Sequence, residues 1–204
     1  MQPVKRSLAI TALMVIVGMC AGSCTSPQLL RVHYQLPATS DSLEDIRVSL
    51  ALKDMRRNKA FLSQSARETL NDFSGNFTLL VSQDDSSGTL LGAYNLTSAV
   101  KALFRQRLLH EGITVVDKKD GDTEMEIGLK ECMLDLQGRN WVFSMSYQTN
   151  LRREGKLTAS ETITGRAERL KTIGGREAEK AISELVTDMV NKLEVAKLFR
   201  QAGF

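Results

Sequence analysis

In the stretch "LLRVHYQL" the apolar residues Val32, Tyr34 and Leu36 alternate with polar neighbours, the period of a half-buried strand. "DIRVSLALKDMR" repeats the pattern with Ile46, Val48, Leu50 and Leu52 on one face, and ends in the charged Asp54, Arg56 and Arg57. The following "NKAFLSQSARETLNDFSGNF" keeps neither a helical nor a strand period. It is expected to be a long connection with short elements, and such connections are commonly functional. A partner-binding surface is sought there first. "FTLLVS" reads as a short strand and "QDDSSG" as a turn.

A helical period takes over at Leu96, Val100, Leu103, Phe104 and Leu108, with Asn95 or Ser98 able to cap its start and Gly112 to close its end. Residues 113–116 then form a strand entered directly from that glycine. Three long alternating segments follow. In "TEMEIGLKECMLDL" the apolar face runs through Met125, Ile127 and Leu129, then changes phase to Cys132, Leu134 and Leu136. That change predicts a bulge at Lys130 and Glu131. "NWVFSMSYQTNL" places Trp141, Phe143, Met145 and Tyr147 on one side. A tight "REGK" turn joins it to "KLTASETITGRAERL", with Leu157, Ala159, Glu161, Ile163 and Ala167 in phase. Strands of this kind are antiparallel with one wet face, so the other face needs a cover. "GGREAEKAISELVTDMVNKLEVAKLFRQAGF" supplies it: Ala178, Ala181, Ile182, Leu185, Val186, Met189, Val190, Leu193 and Ala196 form one stripe of a long helix. The expected class is α+β: a largely antiparallel sheet of four to six strands, covered on one face by two main helices.

Ahead of this pattern stands a short basic segment, "MQPVKRS", and the apolar run "LAITALMVIVGM". That run is shorter than the roughly 20 residues a membrane-spanning helix needs, and it reads as a secretory signal. It leads into "AGSC", where Ala21, Gly22 and Ser23 precede Cys24. This resembles the lipobox of bacterial lipoproteins, whose cysteine takes a diacylglycerol thioether and becomes the new N-terminus. Ala21 stands where that pattern prefers Leu. Cys20 also follows the apolar run, but Met19 before it is bulky where the peptidase needs a small residue. A plain signal peptide cut near Ser23, with Cys24 left free, is the other reading. The expected organisation is a signal peptide over 1–23, a lipidated N-terminus, tether and first strand over 24–43, and one α+β domain over 44–204. Thr25 is not acidic, and similarity to Gram-negative lipoproteins then implies the outer membrane, facing the periplasm.

The chain has 204 residues, 42% of them apolar, enough for one domain with a core. Its formal charge is +3, and Lys5 and Arg6 in the signal segment account for two of those charges. No basic face for a nucleic-acid partner is expected. Beyond Cys24 the mature chain has one cysteine, Cys132, in an apolar strand, so no disulfide framework is expected and its reactivity should be low.

For catalysis the mature sequence offers only His33 and His110, and His110 sits where a cation suits the C-terminal end of a helix dipole. GxSxG, P-loop, HExxH and CxxC patterns do not occur. Gly174 and Gly175 read as a turn, and the Asn76 and Asn95 sequons carry little meaning in a bacterial protein. No catalytic residue, metal site or cofactor is expected. Asp54 and Arg56 are the candidate binding pair, set against a local ion pair at a strand end.

The order of lipobox, strand ending at "VSLALKDMR", long connection, helix and strand in "LFRQRLLHEGITVV", antiparallel strands and the closing "LFRQAGF" resembles the YajG-type outer-membrane lipoproteins. More loosely it resembles the auxiliary lipoproteins of envelope transport systems. The likeness spans nearly the whole mature chain, although the connection between Arg56 and Asn95 is long for the pattern. It implies location and fold rather than a reaction.

Two functions of different class follow. One is a non-catalytic, lipid-anchored envelope lipoprotein that binds an envelope protein partner or a lipid carrier as an accessory module for assembly or transport. The alternative is a periplasmic ligand-binding or hydrolytic domain using loop residues near Asp54 and Arg56. A concave pocket there would favour the second reading.

Overall fold

The computed structural model describes residues 28–37, 43–83, 88–117, 123–172 and 176–204. Cys20, Cys24, the signal segment, Gly174 and Gly175 lie outside the described residues. In chain order the elements are β1 (Gln28–Gln35), β2 (Arg47–Asp54), α1 (Gln64–Thr69), β3 (Phe73–Ser82), β4 (Thr89–Asn95), α2 (Leu96–His110), β5 (Thr114–Val116), β6 (Thr123–Gln137), β7 (Asn140–Arg153), β8 (Lys156–Leu170), α3 (Glu177–Lys192) and α4 (Val195–Gln201).

The α+β class holds, and the strands divide between two sheets. Five strands run in the order β5-β2-β6-β7-β8, and three in the order β1-β3-β4. The β6-β7-β8 part is antiparallel, while β2 lies parallel to both β5 and β6. The expected bulge is present: the register slips between Leu129 and Glu131, which keeps Cys132 and Leu134 buried after the change of phase. At the "REGK" turn Glu154 and Gly155 both take positive φ, 50° and 78°, the pair of dihedrals a tight hairpin requires.

The small sheet was less visible in sequence. β1 and β3 pair in parallel across a long connection. β3 also begins four residues before the expected Phe77, because its first half is largely exposed. β4 has no alternation because Leu79 faces Gly92 while Leu80 faces Leu90, leaving Leu91 as an extra residue. Gly92 takes φ 136° there, a conformation L side chains rarely adopt.

Both main helices pack into the core. Asn95 caps α2, its side chain accepting from Ser98 N, and Gly112 at φ 83° lets the chain leave toward β5. Ala99, Val100, Leu103, Phe104 and Leu108 are its buried stripe. The stripe expected on the last helix is buried from Ala178 to Val190, but the long helix is two: Leu193 is extended (φ −65°, ψ 110°) and α4 follows, with Ala196 half-buried on it. The break turns the chain onto β8 and buries Leu193, Val195, Leu198 and Phe199 together.

α3 also covers the free edge of β1. Backbone N–H groups of Arg31, His33 and Gln35 donate to Glu179 Oε1, Ser183 Oγ and Thr187 Oγ1 at 2.8, 3.0 and 3.2 Å, and Asn191 Nδ2 donates to Gln35 O at 2.9 Å. Four helix residues rise about 6.0 Å and two strand residues about 6.6 Å, so polar residues spaced by four on a helix match alternate residues of a strand. This closes an edge that would otherwise invite strand addition.

The helix approaches the large sheet closely at Gly165. A Cβ there would stand 2.9 Å from Leu185 Cδ1, 3.2 Å from Met189 Cγ and nearer still to Met189 Sδ. Gly165→Ala is expected to destabilise by about 1–3 kcal/mol through overpacking, read by urea denaturation. A midpoint equal to wild type would show that α3 can retreat without cost.

Candidate functional site

The connection from Arg56 to Gly75 folds against β6 rather than lying free. Leu134 N donates to Phe61 O at 2.7 Å and Ser63 N to Leu134 O at 3.0 Å, a parallel bridge between Leu62 and Leu134. Ser63 Oγ then accepts from Ala66 N at 3.2 Å and starts α1. Ser65 Oγ donates to Leu136 O at 3.0 Å and reaches Asp135 Oδ1 at 3.1 Å. Hydrogen bonds from Ser63 and Gln137, with Ser65 and the Leu136 amide, hold the Asp135 carboxyl below its usual range. Phe61 packs edge-on to Phe77 at 4.8 Å and lies 5.9 Å from Phe73.

These contacts leave a cavity of about 460 Å3 between the connection and the start of α2. Arg56, Lys59 and Arg67 reach it, Leu70, Phe73 and Leu96 are among its apolar walls, and among the described residues its lining carries no carboxylate. A neighbouring open space of about 650 Å3 shares Leu62, Arg67 and Asn71 with it. The first is within the size range of small-molecule sites.

The structure brings Asp54 and Arg56 together, chiefly with each other. Arg56 donates from Nε to Asp54 Oδ1 at 3.1 Å, from Nη2 to Oδ2 at 3.0 Å, and from its backbone N to Oδ1 at 3.1 Å. Its remaining Nη1 reaches Cys132 O at 3.3 Å. Lys59 Nζ lies 3.1 Å from Asp54 Oδ1 and donates to Asp54 O at 2.9 Å. Hydrogen bonds from the Arg56 side chain above all, assisted by Lys59, pull the Asp54 pKa down to about 2 against opposing desolvation. Arg56 is buried and borders the cavity, whereas Asp54 is not part of its lining. Arg67 is exposed and has no ion-pair partner among the described residues. It is the cation most available to a ligand, and sequence reading passed over it because it stands in a segment without period.

The two histidines are engaged elsewhere. His33 Nε2 lies 2.9 Å from Ser82 Oγ, and His110 Nε2 donates to Pro37 O at 2.6 Å, holding the chain after β1 against the end of α2. Cys132 is buried, and desolvation pushes its thiol up to about 12. Among the described residues no group of His, Cys, Asp and Glu is placed to hold a metal ion, and no helix is long and apolar enough to cross a membrane.

A second polar feature was missed in sequence. Arg107 lies within the apolar stripe of α2 and pairs with Glu111; both are buried. Their spacing of four was the only signal. Nearby, Tyr34 donates to Asn191 Oδ1 at 2.9 Å and Tyr147 to Met189 O at 2.7 Å. Burial raises the pKa of both phenols.

No family model matches the chain, and no curated protein does. Solved structures do. The structure of protein XCC0632 from Xanthomonas campestris, of family-model DUF330, covers 86% of this chain and 96% of its own at 14% identity, with a TM-score of 0.52. Rare lipoprotein B from Shewanella oneidensis covers 77% and 97% at 13% identity and a TM-score of 0.41. A minor lipoprotein from Acinetobacter baumannii covers 74% and 92% at 10% identity and a TM-score of 0.39. The likeness to the Xanthomonas protein is one of fold.

Proposed function

We propose that this chain is a bacterial envelope lipoprotein of the YajG type, anchored in the outer membrane through lipidated Cys24 and facing the periplasm, whose folded part is a non-catalytic binding module for envelope assembly or transport. The observation that carries the binding role is the cavity bordered by Arg56, Lys59 and Arg67 and free of carboxylates among its described lining residues. Cations above apolar walls attract and orient an anionic group without supplying a nucleophile. The anchoring role rests on the basic segment, the short apolar run and "AGSC". Several acyl chains hold a protein stably where one chain holds it marginally.

The test of the anchor is the intact mass of protein from membrane fractions, wild type against Cys24→Ala. Wild type is expected to begin at a triacylated Cys24, and the variant to lack the modification and leave the membrane fraction. An unmodified wild-type mass would move the soluble ligand-binding alternative, which the concave site also supports, to the front.

A further inference from the structure

We infer that the cavity bordered by Arg56, Lys59 and Arg67 binds the phosphate of net-anionic glycerophospholipid headgroups, which no choline neutralises, in the leaflet that holds the anchor; this rests on the reading of Cys24 as the lipidated residue. The first step is reach. Only Thr25, Ser26 and Pro27 separate Cys24 from Gln28, and an extended chain covers at most about 3.6 Å per residue. The lipid therefore stays within roughly 14 Å of Gln28, four residues away.

Gln28 sits beside the cavity. Its backbone N donates to Asp72 O at 2.8 Å, and Ser74 Oγ donates to Gln28 O at 3.2 Å; Ser74 is a lining residue. Leu70 is shared with a further cleft of about 260 Å3 formed by Gln28, Leu29, Arg31 and Arg176. Gln28 thus lies between two clefts that both carry guanidinium groups, and Leu29 is 38% exposed beside it. Arg31, Arg67 and Arg176 have no side-chain ion-pair partner among the described residues. Carboxylates are present at this end too: Asp54 is held by Arg56 and Lys59, Glu68 by Gln64, and Glu179 by the Arg31 amide, while Asp72 stands at the junction.

The second step is chemistry. Exposed Lys59, Arg67 and Asn71 form a polar rim, and the half-buried Phe61, Phe73 and Leu96 a floor. Guanidinium and ammonium groups match phosphate oxygens. The apolar floor matches the glycerol esters and first methylenes of a lipid, which free phosphate lacks.

The test uses the full acylated chain in phosphatidylcholine vesicles bearing a headgroup nitroxide, with or without phosphatidylglycerol. A fluorophore is placed by Asp72→Cys beside the cavity, or by Glu154→Cys in the turn between β7 and β8 at the opposite end of the large sheet. Cys132 is buried and leaves the label to the introduced thiol. Mass and co-sedimentation are read first. Phosphatidylglycerol is expected to raise quenching at position 72 and not at 154. Arg67→Ala should weaken that lipid-dependent part about five-fold, the factor corresponding to about 1 kcal/mol for one basic residue near an anionic surface. Inorganic phosphate should leave it unchanged.

An acylated, co-sedimenting chain with equal quenching at both positions, or with no response to phosphatidylglycerol or to Arg67→Ala, overturns the inference and leaves the anchor reading intact. Loss of the lipid-dependent signal on adding inorganic phosphate overturns the headgroup as the source. A chain without acyl mass that stays in solution refutes the anchor itself, and the inference falls with it.

Discussion

An Asp54→Ala variant is expected to lose about 3–5 kcal/mol of stability, the cost of leaving a buried charge without its partner. Arg56 is 7% exposed, and three of its contacts end on the Asp54 carboxylate, leaving Cys132 O as its other acceptor. The exposed Lys59 contributes far less, because water already solvates it. An Asp54→Ala, Arg56→Met double variant should recover most of the loss, since no charge is then buried. The same pair sets an acid response. Because the folded-state pKa of Asp54 is depressed, its contribution is full above the ordinary carboxylate value of 3.8 and is lost as pH falls toward about 2. Asp54→Asn should therefore flatten the fall of stability in that acid window, measured by urea midpoints at each pH. If Asp54→Ala melts like wild type, the pair is not holding the strand end, and its charges are free to serve a ligand as the alternative function requires.

That outcome matters because the candidate site was only half legible. The pair Asp54 and Arg56 could be read from its spacing, and the connection after it could be read as long and without a period. The cavity could not. Its walls come from residues whose positions are fixed by the bridge between Leu62 and Leu134 and by the tilted and edge-on contacts of Phe61 with Phe73 and Phe77, contacts that leave no period in the sequence. Burial of Arg56 and Arg107 runs against the expectation that charge marks the wet face. The fold divides in the same way. β6, β7, β8 and α2 were legible because alternation or a helical stripe is local and unbroken. β4 was not, since the extra residue at Leu91 destroys its phase. The parallel pairing of β1 with β3 joins segments far apart in sequence, and the end of α3 is set by burial of Leu193 rather than by a glycine or proline stop.

The strongest test of the assembled fold is Leu185→Asp, which is expected to abolish cooperative folding. Leu185 is 4% exposed and lies over Gly165, on the face of α3 that meets β7 and β8. A carboxylate placed there has no room for water, and burying it unpaired costs several kcal/mol unless the helix moves out or the group is protonated. That is a large share of the 5–15 kcal/mol by which domains are ordinarily stable. The adjacent Glu184→Ala gives the contrast: it removes an exposed ion pair with Arg169 and should cost no more than about 1 kcal/mol. Detachment of α3 has a second consequence. Glu179, Ser183, Thr187 and Asn191 would leave the edge of β1, exposing a row of backbone donors close to the point where the chain arrives from Cys24. Under the proposed anchoring, which would hold the chains side by side on a membrane, such an edge favours strand pairing between copies. The variant is therefore expected to lose its thermal transition and to sediment as aggregate, whereas Glu184→Ala stays monodisperse. A Leu185→Asp protein that melts with wild-type cooperativity would place Leu185 outside the core, and with it the helix that seals β1.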